Sequence, residues 1–221
     1  MKKILSIYLT ITFFLFNFSC AQDLKPLDNE REDSIIVDEK NYEMEVVFED
    51  ENLIWGLEIL DDNSILASIK SGSIIHYKDR VKKDIKGVPD IYLRGQGGLL
   101  DLELHPDFNE NRLVYLSYAY MKNRDDGGNT AIARAKLVND SLKNFEVLYQ
   151  GSPVSRKGQH FGSRMAFDNE NYLYFTIGDR GNRNVNPQDI SVDGGKVYRI
   201  NDDGTIPSDN PFFDVPNAKK A

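Results

Sequence analysis

The chain has 221 residues, of which 35 are acidic and 27 basic, and its formal net charge is −8. So acidic a protein repels nucleic acid and anionic lipid headgroups, which excludes both as partners. Hydrophobic residues make up 40% of the chain, enough for one sizeable core, and a single cysteine excludes an intrachain disulfide.

The N-terminus has the pattern of a secretory signal. Two lysines precede an uncharged, largely apolar run from Ile4 to Phe18, shorter than the about 20 apolar residues that a membrane-spanning helix needs. Cys20 closes this run and resembles the processing site of a bacterial lipoprotein, whose cysteine is acylated; ordinary cleavage after Ala21 is the alternative. We therefore predict a signal peptide over residues 1–19 and export to the bacterial cell envelope or periplasm. A lipid anchor at Cys20 would be the only membrane contact.

The next segment, residues 20–45, is rich in acidic side chains and nearly free of aromatic ones. Such a composition buries too little apolar surface to fold, so we interpret the segment as a tether that holds a folded body away from the membrane. An ordered strand over residues 34–37 is the alternative. The folded body is predicted over residues 46–221.

The body has the pattern of β-structure, because short runs of Val, Ile, Leu, Tyr and Phe alternate with Asp, Asn and Gly turns. A unit of strand, acidic turn and strand begins at residues 57, 102 and 165, and a weaker hairpin with its turn at residues 201–204 follows. A spacing of about 45 residues is typical of propeller blades. The sequence predicts an all-β protein, a β-propeller of about three to four blades; a β-sandwich with hairpins of similar length is the alternative.

Three loops carry residue types suited to chemistry. Gln96 stands among glycines that let the backbone turn tightly and approach a ligand. His160 lies between glycines at the entrance of a strand and can act as a general base near neutral pH. Asp179 follows an aromatic strand and can orient the imidazole of His160. A plain glycine-rich connection, a structural histidine and an Asx turn are the respective alternatives.

A set of motifs, taken in order, is similar to the soluble aldose sugar dehydrogenases of the glucose/sorbosone dehydrogenase family. The motifs span residues 52–213 and read WGL, GQGGLLD, LHPDF, NRLVYLSY, HFGSRMAF, LYFTIGDRG, GKV, DGTIP and DNP. The resemblance implies a six-bladed β-propeller that binds pyrroloquinoline quinone and calcium. It also implies oxidation of an aldose at C1 to a lactone, with electrons passed to a respiratory acceptor.

The resemblance implies a role for five residues. His160 matches the catalytic base of the family, and Asp179 matches the carboxylate that supports it. Gln96 matches a glutamine that lines the substrate and cofactor pocket. Gln159 stands where glucose-oxidising members carry an acidic residue, which puts glucose-type selectivity in doubt. Asn184 falls near another substrate-contacting position.

Family members are longer, and the resemblance places most cofactor-binding residues and the calcium ligands in segments beyond Ala221. We therefore expect the 221 residues to be an N-terminal portion that lacks a metal site and is inactive alone. A non-catalytic binding module of the cell envelope, derived from the same propeller, is the alternative. The glutamine at position 159 is consistent with that alternative.

Overall fold

The computed structural model describes residues 44–123 and 125–221, which form three antiparallel β-sheets. The first sheet contains β1 (Ile54–Ile59), β2 (Ile65–Ile69), β3 (Ser73–Lys78) and β4 (Val81–Asp84). The second contains β5 (Leu99–Leu104), β6 (Leu113–Asn123), β7 (Gly127–Leu137) and β8 (Leu142–Gln150). The third contains β9 (Gly162–Phe167), β10 (Tyr172–Ile177) and β11 (Lys196–Asn201). A short helix, α1 (Phe108–Asn111), and a 3₁₀ turn (Asn186–Gln188) interrupt the connections.

The three sheets are arranged as blades of a β-propeller. Within each sheet the strands pair with their neighbours in chain order, and the first strands, β1, β5 and β9, lie beside one another. Sheets repeated around their first strands in this way define a propeller. The predicted fold class is confirmed, with three blades in the described part of the chain.

Alternation along the strands determines which side chains form the core. In β10, Leu173, Phe175 and Ile177 are almost fully buried, whereas the residues between them are half-buried. Successive side chains of a strand point to opposite faces of the sheet, so this three-residue set packs against the second blade while the others face outward. Burying each of these side chains stabilises the fold by about 1.5–3 kcal/mol.

Polar contacts also join neighbouring blades. His76 of β3 binds the Asp140 carboxylate, in the turn before β8, at 3.0 Å from Nδ1 to Oδ1. Between the second and third blades, the fully buried Asp193 accepts hydrogen bonds from the Tyr149 hydroxyl at 2.5 Å and from the Ser152 backbone N–H at 2.6 Å. These contacts pair polar groups that burial between blades would otherwise leave unsatisfied.

One predicted hairpin is wrong. The strand over residues 197–200 exists as β11, but it pairs with β10, and the turn at residues 201–204 leads into further turns rather than a second strand. Pro207 and Pro211 explain the difference, because proline cannot donate to a strand ladder.

Several sequence predictions lie outside the described residues. They are the signal peptide over residues 1–19, lipidation at Cys20, and the tether over residues 20–45 apart from its last two positions. Within the described part of the chain, no helix is long and apolar enough to cross a membrane.

Candidate active site

The pairing of β9 with β10 brings His160 and Asp179 together. His160 stands two residues before β9, and Asp179 stands two residues after β10 ends. The two strands are antiparallel, with Gly162 opposite Ile177, so the start of one and the end of the other share an edge of the sheet. The His160 Nδ1 atom lies 2.8 Å from Asp179 Oδ1.

The electrostatics of this pair suit a general base. The hydrogen bond from His160 is the main cause that lowers the pKa of Asp179, and the Gly181 backbone N–H donates to the same Oδ1 atom at 2.7 Å. A carboxylate that accepts from Nδ1–H leaves Nε2 with the free lone pair. Because 46% of the His160 side chain is exposed, a ligand can reach that nitrogen.

Gln96 holds the backbone of the base. Its side-chain Oε1 accepts a hydrogen bond from the His160 backbone N–H at 2.7 Å. The backbone N–H of Gln96 donates to the Gly158 carbonyl, also at 2.7 Å. Gly95 makes this approach possible, since a Cβ at that position would lie 2.2 Å from the Gly158 carbonyl oxygen. Among the described residues, the Gln96 amide nitrogen has no hydrogen-bond partner, so it remains a donor for a ligand.

The other two predicted pocket residues differ in position. Gln159 is exposed and its amide lies against Gly181, where an added Cβ would approach Nε2 to 2.7 Å. Asn184 is also exposed, but within the described chain no hydrogen bond links it to the His160–Asp179 pair. Its neighbour Asn186 has that link instead, donating to the Asp179 backbone carbonyl at 2.9 Å. The structure thus brings Gln96, Gln159, His160 and Asp179 together, and the substrate contact of Asn184 stays a prediction.

Cationic side chains lie close to the site in the sequence. Arg94, Arg156 and Lys157 are exposed on the loops that carry Gln96 and His160. The Lys157 ammonium donates to the Gly181 carbonyl at 2.7 Å, which places one of these charges next to Asp179. In a chain whose formal charge is −8, this local positive charge favours an anionic ligand.

The innermost strands carry a group of carboxylates that the sequence did not reveal. Asp101 of β5 is 2% exposed and accepts from Arg164 Nη1 at 2.7 Å and from the Met165 backbone N–H at 2.8 Å. Glu58 stands on β1 and Glu103 on β5. The pKa of each is raised to about 7, mainly by desolvation and to a smaller extent by repulsion from neighbouring carboxylates. Among the described residues, Arg164 forms an ion pair with Asp101 alone of these three carboxylates.

Replacing Glu103 with glutamine is expected to raise Tm at pH 8 and to leave it unchanged near pH 4.5. A carboxyl whose pKa is higher in the folded state binds its proton more tightly there, so its contribution to stability decreases as pH rises from about 4.5 to about 7. Allowing for solvent screening, a gain of about 1 kcal/mol corresponds to about 2–4 °C. Thermal unfolding at both pH values measures the difference in Tm between the variant and the wild type. Glu170→Gln is the control, because Glu170 is exposed. An equal shift at both pH values would contradict the explanation.

The other two histidines have structural surroundings. His105 is 5% exposed, and its Nδ1 accepts from the Asp107 backbone N–H at 2.9 Å. His76 lies 3.0 Å from the Ser64 hydroxyl as well as from Asp140, an arrangement with the composition of a catalytic triad. Ser64, however, is 1% exposed, and its hydroxyl donates a hydrogen bond to an Asp62 carboxylate oxygen at 2.5 Å. A buried serine with that bond is not an available nucleophile.

Histidine, cysteine and carboxylate side chains are not clustered as metal ligands in residues 44–123 and 125–221. These ranges contain no group of three or more His, Cys, Asp or Glu side chains that could hold a metal ion.

The fold and the site together define a β-propeller with a histidine–carboxylate pair on its blade loops. Comparison with known proteins identifies the class more closely. The family described as "Glucose / Sorbosone dehydrogenase" matches residues 51–221. The chain belongs to the glucose/sorbosone dehydrogenase family.

Relatives with known names agree with this assignment. The aldose sugar dehydrogenase YliI of Escherichia coli is 36% identical over 171 residues, which cover 75% of this chain and 45% of that protein. The quinoprotein glucose dehydrogenase B of Acinetobacter calcoaceticus is 30% identical over 189 residues, covering 74% of this chain and 37% of the relative. The chain thus spans less than half the length of these two relatives.

Solved structures share the fold. The soluble aldose sugar dehydrogenase of Escherichia coli in its apo-form superposes with a TM-score of 0.72 at 33% identity, covering 76% of this chain and 50% of that one. The aldose sugar dehydrogenase of Streptomyces coelicolor in its PQQ-bound form gives a TM-score of 0.64 at 26% identity, with coverage of 76% and 49%.

Proposed function

We propose that this chain contributes the base-bearing part of the active site of a quinone-dependent sugar dehydrogenase, which oxidises an aldose at C1 to a lactone. The observation that carries the proposal is the 2.8 Å contact between His160 Nδ1 and Asp179 Oδ1, with the ring otherwise open to a ligand. In this role Nε2 of His160 takes the proton of the C1 hydroxyl. Asp179 holds the ring and stabilises the imidazolium that forms.

The residues present fit an anionic quinone cofactor. Pyrroloquinoline quinone carries carboxylates, and the exposed Arg94, Arg156 and Lys157 offer donors of the matching chemistry. The Gln96 amide nitrogen, which has no hydrogen-bond partner among the described residues, offers another. When bound, pyrroloquinoline quinone accepts the hydride that leaves C1. Gln96 would face both ligands while fixing the His160 backbone through its Oε1 atom.

Gln159 would contribute to substrate selectivity. It lies over the turn at Gly181 and is exposed next to the base. A carboxylate only accepts, so each sugar hydroxyl that it binds must donate. An amide both donates and accepts, so Gln159 could also bind a sugar hydroxyl that acts as acceptor. Asn184 would lie near the substrate, as the family resemblance implies; its neighbours Asn182 and Asn186 hydrogen-bond to each other, and Asn186 also bonds to the Asp179 carbonyl.

The wider setting of the activity is also a proposal. Export by residues 1–19 and a lipid anchor at Cys20 would place the protein in the bacterial cell envelope. A respiratory electron acceptor would then reoxidise the reduced cofactor. Calcium binding is proposed only through segments outside the described residues.

The test is reconstitution of the longest reading frame that contains this sequence. The purified protein is titrated with pyrroloquinoline quinone and calcium, and aldose oxidation is followed with an artificial electron acceptor. Sugar-dependent turnover that requires the quinone is the expected result. A well-folded protein that binds neither quinone nor aldose would refute the dehydrogenase, and the binding module would then be the better description.

A further inference from the structure

Arg180 lies buried behind the loop that presents His160. It follows Asp179, has a left-handed backbone (φ 56°), and is only 3% exposed. Its guanidinium donates to the Gln159 carbonyl and to the Lys157 carbonyl at 2.9 Å. It also donates, at 3.3 Å, to the carbonyl of Gly128, which belongs to β7 of the second blade. The Cζ atom stands 3.5 Å above the centre of the Phe161 ring.

This guanidinium has no ion pair to explain its burial. Within the described part of the chain, no carboxylate lies within salt-bridge distance of Arg180, and its Nε atom has no hydrogen-bond partner. Desolvation lowers the pKa of Arg180 to about 10, so the side chain is still charged at neutral pH. Burying an unpaired charge is costly, whereas an apolar side chain over Phe161 would avoid that cost.

The contacts of Arg180 converge on the residues around the base. Two of the three acceptors, Lys157 and Gln159, belong to the short segment immediately before His160. The Arg180 backbone N–H also points to the His160 carbonyl, at 3.4 Å. His160 itself has φ 54°, a conformation that a non-glycine residue keeps only when its surroundings impose it.

We propose that Arg180 is a positioning residue for the His160–Asp179 pair: its planar fork fixes the backbone of residues 157–159, so that the imidazole stays within hydrogen-bond distance of Asp179. The inference rests on the proposed function of His160 as the base. Arg180 contacts neither ring nitrogen and acts only through the backbone. Lysine cannot replace it, because an ammonium does not span carbonyls of two blades as a rigid fork does.

The first measurement compares kcat and KM of Arg180→Lys with those of the wild-type holoenzyme. We expect kcat to fall by about 10²-fold, the cost of moving a catalytic group by about 1 Å, while KM changes by less than about twofold. Arg134→Lys is the matched control, because Arg134 also bridges to a backbone carbonyl, that of Asp202 at 2.9 Å, and lies outside the site. Added guanidinium is expected to restore part of kcat in Arg180→Ala.

The second measurement is independent of turnover. Proton NMR of the wild type is expected to show a low-field resonance from the His160 Nδ1–H that bonds to Asp179, and the resonance is expected to disappear in Arg180→Lys but not in Arg134→Lys. Wild-type kcat with the resonance retained in Arg180→Lys would overturn the proposal. Failure of both Arg180 variants to fold would also overturn it, in favour of a purely structural role. If the wild type oxidises no sugar, the proposed function fails, and the NMR comparison still decides the role of Arg180.

Discussion

Replacing His160 with glutamine is expected to lower kcat for aldose oxidation by about 10²–10⁴-fold, the range that positioned proton transfer contributes. Glutamine has similar reach and polarity but no nitrogen basic enough to take the hydroxyl proton. Because the His160 backbone N–H would still reach Gln96 Oε1, the loop and the cofactor pocket are expected to persist. Steady-state kinetics with saturating quinone and an artificial acceptor measure the loss, and quinone titration measures binding separately.

His76→Gln is the matched control for this experiment. His76 also pairs with a carboxylate, that of Asp140, at 3.0 Å. This pair joins the first two blades, whereas His160 and Asp179 flank strands of the third. Its replacement is expected to change thermal stability and to leave kcat unchanged. Full activity in His160→Gln would mean that another group takes the proton, and it would remove the central residue of the proposed mechanism.

Local patterns in the sequence were sufficient to predict much of the fold. The acidic turns at residues 61–63 and 168–171 each separate two strands that pair as hairpins, β1 with β2 and β9 with β10. Such hairpins are local, so alternation and turn residues specify them. The hairpin predicted after residue 200 did not form: β11 pairs only with β10, and the prolines at 207 and 211 disfavour another strand downstream.

The candidate site was predictable where it depends on strand ends and not where it depends on contacts between loops. His160 and Asp179 flank neighbouring strands, so their sequence positions and the family resemblance were enough to pair them. Arg180 had no such signal, because its acceptors are backbone carbonyls of Gly128, Lys157 and Gln159, which no side-chain pattern encodes. The raised pKa values of Glu58 and Glu103 were equally hidden, since they result from burial and from carboxylates of β1 and β5 that lie close together.

Replacing Asp179 with asparagine is expected to lower kcat by about 10²–10⁴-fold, even though the side chain keeps its size. In the rotamer that keeps the Gly181 N–H bond, asparagine still accepts from His160 Nδ1–H. In the other rotamer its amide N–H meets Nδ1, which places the ring proton on Nε2 and removes the lone pair that takes the substrate proton. The charge that stabilises the imidazolium is lost as well. Kinetics at saturating sugar measure the rate, and ¹⁵N NMR of the imidazole reports which nitrogen carries the proton.

This substitution separates the catalytic role of Asp179 from its role in the turn. The Asp179 Oδ1 atom also accepts the Gly181 backbone N–H, a bond that asparagine can form equally well. If Asp179 only closed the turn, Asp179→Asn would keep its activity. Asp189→Asn is the matched control, because Asp189 makes the same kind of bond to the Ser191 backbone N–H at 2.9 Å and has no histidine partner. Retained activity in Asp189→Asn together with a loss in Asp179→Asn would assign the effect to the bond with His160, whereas equal retention in both would leave Asp179 a structural residue.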